Sequence, residues 1–123
     1  MADFQGIATQ FVAHYYTTFD SDRKALASLY RNDSKMTFES DQLAGGGPIT
    51  EKLANLPFQK VLHKYGGVDA QPTATGAIVI LVTGQLVVDD STAPLSYSQT
   101  FVLGQDATGG WYVQNDIFKL VVF

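Results

Sequence analysis

Asn55-Leu56-Pro57-Phe58-Gln59-Lys60-Val61, closed off further on by Asp69-Ala70-Gln71-Pro72, is where this chain changes its period. The proline ring disfavours helical backbone at the residue before it, so a helix must end by Leu56. From Phe58 the pattern becomes alternation. Phe58, Lys60 and Leu62 share one side, and Gln59, Val61 and His63 share the other. This pattern predicts a strand over Phe58 to Asp69, with a bulky ring at the corner where helix becomes strand.

Upstream of the corner the chain reads as helical. Phe4, Ile7, Phe11, Tyr15 and Phe19 fall on one helical stripe, and Asp3 can cap its start. Asp20 and Ser21 break the stripe and offer a new cap. A short second helix then carries Leu26, Leu29 and Tyr30. Arg31 to Ser34 reads as a polar turn, and Met36 to Glu39 as a short strand. Gly45-Gly46-Gly47-Pro48 reads as a loop into a third helix, with Pro48 at its first position and Ile49, Leu53 and Leu56 on its apolar face. A phosphate loop would need Lys and then Ser or Thr after the last glycine, and neither is present.

Downstream, the strands expected after the first are Ala77 to Asp89, Leu95 to Gly104 and Trp111 to Val122. Short breaks rich in Gly, Pro, Asp, Ser and Thr separate them, which implies antiparallel hairpins. Gly66-Gly67 and Asn115-Asp116 mark expected bulges. Helices first and strands second give an α+β domain spanning 1–123, with three N-terminal helices on one face of a curved, mainly antiparallel sheet. In Ala77 to Val88 both alternation sets are apolar, and Ile117 to Phe123 behaves alike apart from Lys119. One layer of helices covers one face only, so the second needs its own cover. Either a second copy of the chain supplies it, sheet against sheet, or the sheet rolls up and buries its own second face.

The bulk numbers narrow the partner classes. A chain of 123 residues, 46% hydrophobic and 16% charged, is a packed single domain. A net charge of −4 argues against nucleic acid and suits basic protein partners. There is no cysteine, hence no disulfide or thiolate chemistry. The Met-Ala-Asp-Phe start lacks a secretory pattern, and no apolar run approaches the roughly 20 residues of a membrane span. The expectation is a soluble intracellular protein.

For chemistry, the two histidines, His14 and His63, lack metal-ligand spacing, and no Gly-x-Ser-x-Gly elbow exists. No metal or cofactor is expected. Helices over a curved sheet can enclose an apolar cone. An acid at its bottom near Tyr15, Tyr16, Tyr30 or Tyr97 could act as a base beside a phenol. Asp116 and His63 are the candidates for that role, against a structural role for each. A binding constellation is the alternative. Phe38-Glu39, Phe58, Leu86 to Asp90 and Phe118 would make an acid-rimmed apolar pocket for a partner's ring and flanking basic residues. Taken as spacing alone, the same residues are also compatible with plain core and a solvated turn.

The whole chain resembles the nuclear transport factor 2 family, most of all its fungal members. The resemblance runs in order through His14-Tyr15-Tyr16, Phe19-Asp20-Ser21-Asp22-Arg23, Leu29-Tyr30, Thr37-Phe38-Glu39 and Glu51-Lys52-Leu53. It continues through Leu56-Pro57-Phe58-Gln59-Lys60-Val61, Asp69-Ala70-Gln71-Pro72, Gly84-Gln85-Leu86, Ser98-Gln99-Thr100-Phe101 and Asn115-Asp116-Ile117-Phe118. It implies a non-catalytic homodimer of cone-shaped subunits, paired through their sheets. The implied partners are the GDP form of the GTPase Ran and Phe-x-Phe-Gly repeats of nucleoporins, and the implied locations are cytoplasm, nucleus and nuclear pore. The pocket for Ran would be Phe38, Leu56, Phe58, Val61, Leu86, Val88 and Phe118, with Glu39 and Asp89 pairing with basic residues. Phe4 and Asp20 would mark the nucleoporin site. The chain departs from relatives in having Phe4 and Phe38 where some have tryptophan, and Ser91 where others carry an acid. Two alternatives share the scaffold: an enzyme of the ketosteroid isomerase or scytalone dehydratase type, and a Ran-independent nucleoporin-binding module of mRNA export.

Overall fold

The computed structural model describes residues 3–121; the ends expected at Val122 and Phe123 lie outside the described residues. Helix α1 (Phe4–Ser21) starts where Asp3 accepts a bond from the Gly6 amide at 2.9 Å. It buries Ala8, Phe11, Val12, Tyr15, Tyr16 and Phe19. Phe4 and Ile7, at the open end of the stripe, are half-buried. The next cap is Asp22, one residue beyond the expected pair, and its carboxylate accepts from Lys24 N at 3.2 Å. The second helix is a tight 3₁₀ segment, Arg23–Leu29, that buries Leu26. Tyr30, expected at its end, instead opens a strand.

Six strands form one open sheet: β1 (Tyr30–Phe38), β2 (Asp41–Ala44), β3 (Val61–Pro72), β4 (Ile78–Val88), β5 (Leu95–Gln105) and β6 (Trp111–Leu120), in the order β2-β1-β6-β5-β4-β3. All neighbours are antiparallel except β1 and β6. The polar stretch Arg31–Ser34 is no free turn. It is an irregularity inside β1, where the register against β6 jumps between Tyr30 and Lys35. Buried Ser34 holds it, accepting from Arg31 N at 2.8 Å and donating to the Val113 carbonyl. Strand β2 was not foreseen. It folds back from β1 through the two-residue turn Glu39-Ser40, both at positive φ (50° and 80°). Such turns match the twist of a hairpin.

Helix α2 (Gly46–Ala54) is the third helical element. Pro48 is its third residue and not its first, because Gly46 and Gly47 already lie in the helix. Ile49 and Leu53 are buried under it. The strand after the Leu56-Pro57 break begins at Val61, three residues later than the alternation suggested. Phe58–Lys60 is a corner, and Asp89 ties it down. One carboxylate oxygen of Asp89 accepts from Gln59 N (2.9 Å) and Lys60 N (3.0 Å), and its own amide donates to the Lys60 carbonyl (2.8 Å).

The bulge at Gly66-Gly67 is present between Tyr65 and Gly67. The other expected bulge falls at Gln114, one residue before Asn115, where β6 inserts an extra residue opposite Val102 and Leu103. Helix α1 lies along β3 and blunts that sheet edge. The Gln5 side chain donates to the Val68 carbonyl (2.9 Å) and accepts from Ala70 N (3.2 Å), while Asp20 accepts from His63 N (3.0 Å). This pairing satisfies backbone groups that an open edge would expose. The inner face of the sheet and the helices share one core. On the outer face Leu62, Leu81 and Ile117 stay exposed at 50%, 46% and 53%, so the sheet does not roll over to bury them.

Candidate binding site

The concave side of the sheet does not fill completely. Between α1, α2 and the sheet lies an open-mouthed cavity of about 210 Å³. Its lining includes Phe38, Glu39, Leu56, Phe58, Val61, Leu86, Val88 and Phe118. These are eight of the nine residues expected to meet Ran. The ninth, Asp89, lies just outside, in a shallow depression shared with Leu56, Pro57, Phe58, Gln59, Lys60 and Asp90. Residues up to eighty positions apart in sequence converge because the β1 hairpin, the 56–60 corner, the β4 end and the β6 end all open at the same rim.

Each wall has a local cause. Phe38 and Phe118 sit opposite each other in the parallel β1–β6 register and stack at 4.8 Å with an interplanar angle of 8°. Tyr97 stacks on the far side of Phe118 at 5.5 Å. Phe58 is held by Arg23, whose guanidinium lies 4.9 Å from the ring centre and donates to the Phe58 carbonyl at 2.7 Å. At the rim, Glu39 accepts a short bond from the Leu120 amide through one oxygen, and among the described residues the other oxygen has no hydrogen-bond partner. Lys60 and Gln59 amides hold the Asp89 carboxyl below its ordinary range, and Arg23 and Lys60 add charge attraction. Each of the two acids thus has one oxygen already fixed in place by backbone amides.

Three residues that carry polar groups, Tyr15, His63 and Gln99, also line the cavity. Behind them Asp116, 1% exposed, accepts from Tyr30 Oη (2.8 Å), Gln99 Nε2 (2.9 Å) and Tyr15 Oη (3.4 Å). Burial pushes its carboxyl up to about 6, against the pull of these three donors. Burial and the nearby Asp116 charge likewise raise the Tyr15 and Tyr30 hydroxyls. Asp116 does not line the cavity. As the candidate base it is walled off, and both of its oxygens already accept hydrogen bonds. His63 does line the cavity, with Nδ1 held by Asp20 at 2.6 Å.

Phe4 and Asp20 do not meet within the chain. They lie sixteen residues apart on one helix, about 24 Å along its axis. The Asp20 carboxylate is engaged by His63 through both oxygens. Besides the further apolar lining of Met36, Leu53, Leu95 and Leu120, three polar or charged residues at the site escaped the sequence reading. Gln99 was legible as the one polar member of the buried set Tyr97, Gln99, Phe101, Leu103 on β5. Arg23 and Lys52 were not, since only the folded chain brings them over Phe58 and Phe38.

A helix-backed, cone-shaped α+β domain with an acid-rimmed apolar mouth is the class these features define. The chain matches the family described as Nuclear transport factor 2 (NTF2) domain over residues 7–120. It is 69% identical over 120 residues to nuclear transport factor 2 of Neurospora crassa, covering 98% of this chain and 97% of that one. Identity to the Emericella nidulans protein of the same name is 52% over 122 residues, covering 98% of each. The solved nuclear transport factor 2 of Cryptosporidium parvum superimposes with a TM-score of 0.91 at 40% identity, covering 96% of this chain and 94% of that one. The chain belongs to the nuclear transport factor 2 family.

Proposed function

We propose that the protein serves nuclear transport as a carrier for GDP-bound Ran, taking an aromatic ring of Ran's switch region into the cavity. The observation that carries this reading is the convergence of eight expected contact residues on one apolar cavity, with Glu39 on its wall and Asp89 at its shoulder. An apolar hole lined by rings suits an inserted ring. Two fixed carboxylates with free oxygens suit flanking Lys or Arg and disfavour acidic competitors. Membership in a family whose relatives bear the transport-factor name supports the same role. The sheet's exposed outer face supports a homodimer. For Phe-x-Phe-Gly repeats we propose Phe4 as the aromatic contact; Asp20 can join it only across a subunit interface. The enzyme reading is disfavoured by Asp116, whose position behind Tyr15 and Gln99 keeps it from a ligand. The acidic rim argues against a Ran-independent export module.

The test is a pull-down with Ran loaded with GDP or GTP, using the parent protein and Glu39→Lys. The expected result is recovery of the GDP form by the parent only, with Glu39→Lys losing at least about tenfold in affinity, since truncating or reversing a close charge pair costs about 2 kcal/mol or more. Equal recovery of both nucleotide forms, or undiminished binding by Glu39→Lys, contradicts the carrier reading.

A further inference from the structure

His63 is a polar residue of the cavity whose chemistry the carrier reading leaves unused. Its ring is fixed on every side. Tyr16 stacks on it at 4.3 Å, and Phe19 and Tyr97 meet it edge-on at 4.9 and 5.6 Å. Asp20 bonds both its Nδ1 and its backbone amide. A carboxylate partner places the proton of the neutral ring on Nδ1, which leaves Nε2 as an acceptor. Among the described residues nothing bonds Nε2, yet it is not among the sealed polar atoms lacking a partner, and the ring lines the cavity. The cavity thus offers His63 Nε2 as an oriented hydrogen-bond acceptor in a largely apolar enclosure.

Size sets the class of guest. An apolar protein cavity of about 150 Å³ takes up benzene, whereas drug-sized ligands occupy clefts of about 300 Å³ and more. At about 210 Å³ this one suits a single substituted ring. We propose that the cavity also binds free single-ring phenols and like aromatics carrying one hydrogen-bond donor, with His63 Nε2 as the acceptor. Such a molecule would occupy the space that a partner's ring needs, so small aromatic metabolites would compete with protein cargo. The competition rests on the carrier reading; the binding itself does not.

The test uses the whole protein and para-cresol, with para-xylene as a ring of equal shape lacking the donor. Proton–nitrogen correlation spectra of the histidine rings report on Nε2 directly. Para-cresol is expected to shift the His63 Nε2 resonance together with signals of Phe38, Leu86 and Phe118. The exposed His14 on α1 is the internal control and stays unmoved. Para-xylene is expected to shift cavity signals but not Nε2. The variant Val88→Trp fills the mouth and is expected to weaken para-cresol binding by at least about tenfold, one unit of 1.4 kcal/mol. An unmoved His63 Nε2 at saturating para-cresol overturns the proposal, as do shifts confined to the outer sheet face around Leu81 and Ile117. If para-cresol moves Nε2 but leaves recovery of GDP-bound Ran unchanged, the ligand site stands and the assignment of Ran to this cavity falls.

Discussion

Burial and hydrogen bonding act on Asp116 in opposite directions, and burial wins. Its folded value of about 6 lies above the ordinary 3.8, so the native state holds the proton more tightly than the unfolded chain does. The stabilisation from this group is therefore complete below about pH 4 and is lost as pH rises through 6, by up to roughly 3 kcal/mol. Asp116→Asn carries no titrating proton. Its unfolding free energy, measured by urea melts from pH 4 to 7, is expected to lack the decline that the parent shows; identical slopes in the two proteins refute this. A second residue-scale effect sits at the rim, where Ser40 occupies a φ of 80°. Left-handed backbone costs a non-glycine residue about 1–2 kcal/mol, of which glycine's extra chain entropy takes back part. Ser40→Gly is expected to raise stability by about 0.5 kcal/mol, read as a higher urea midpoint with unchanged slope. At this scale the sequence showed which rings and acids could form a mouth. It could not show that Asp89 spends one oxygen on Gln59 and Lys60, or that Asp20 serves His63, because those bonds join loops and helix ends that no periodicity relates.

Among the elements, β3 and β4 meet most tightly where β3 bulges. A Cβ on Gly84 would stand 2.5 Å from the Lys64 carbonyl oxygen and 2.7 Å from Tyr65 Cα, both backbone atoms that cannot swing aside. Gly84→Ala must push the two strands apart beside the bulge. The expected loss is about 1–3 kcal/mol, as for other overpacked sites, and chemical denaturation measures it. A loss below about 0.5 kcal/mol would show that the bulge yields freely. The glycine pair on β3 made this bulge readable beforehand. Helix α1, the four long strands and their hairpins were readable too, because each carries its own period and its own breaks. The β1 region was not. Its Arg31-Asn32-Asp33-Ser34 segment has turn composition but is stitched into the sheet by Ser34. Strand β2, only four residues long and half polar, shows no alternation of buried faces. The parallel β1–β6 pairing joins segments about eighty residues apart, a relation that local pattern does not encode.

For the whole molecule, the unanswered surface is the outer face of the sheet. Reading across the strands, Asp69, Leu81, Thr100, Ile117 and Thr37 form one row, and Gln71, Val79, Val102 and Asn115 form the next. Leu62 and Val87 add an apolar pair toward one end. The rows mix exposed aliphatic side chains with small hydroxyls and amides, and charge enters at Asp69 on β3, Lys35 beside Asn115 on β1, and Lys119 on β6. Scattered apolar residues are ordinary on a surface, but Leu81 and Ile117 are each about half exposed and lie two strands apart in one row, bridged only by Thr100. Helices fill the other face, so within the described residues nothing from the same chain can cover this one. Two such faces laid together would bury the aliphatic rows and leave the hydroxyls to pair across the seam, in a two-fold arrangement that keeps both cavity mouths open. The protein is accordingly expected to run in solution at twice its 13.4 kDa chain mass. Ile117→Asp places a carboxylate at the centre of the row, where an unpaired buried charge costs several kcal/mol, and should shift light-scattering mass to that of a single chain. Because Ile117 points away from the cavity and its neighbours on the inner face are untouched, the monomer should keep its near-ultraviolet spectrum. A parent that is already monomeric at millimolar concentration, or an Ile117→Asp variant that still doubles, would mean that this face has a different partner.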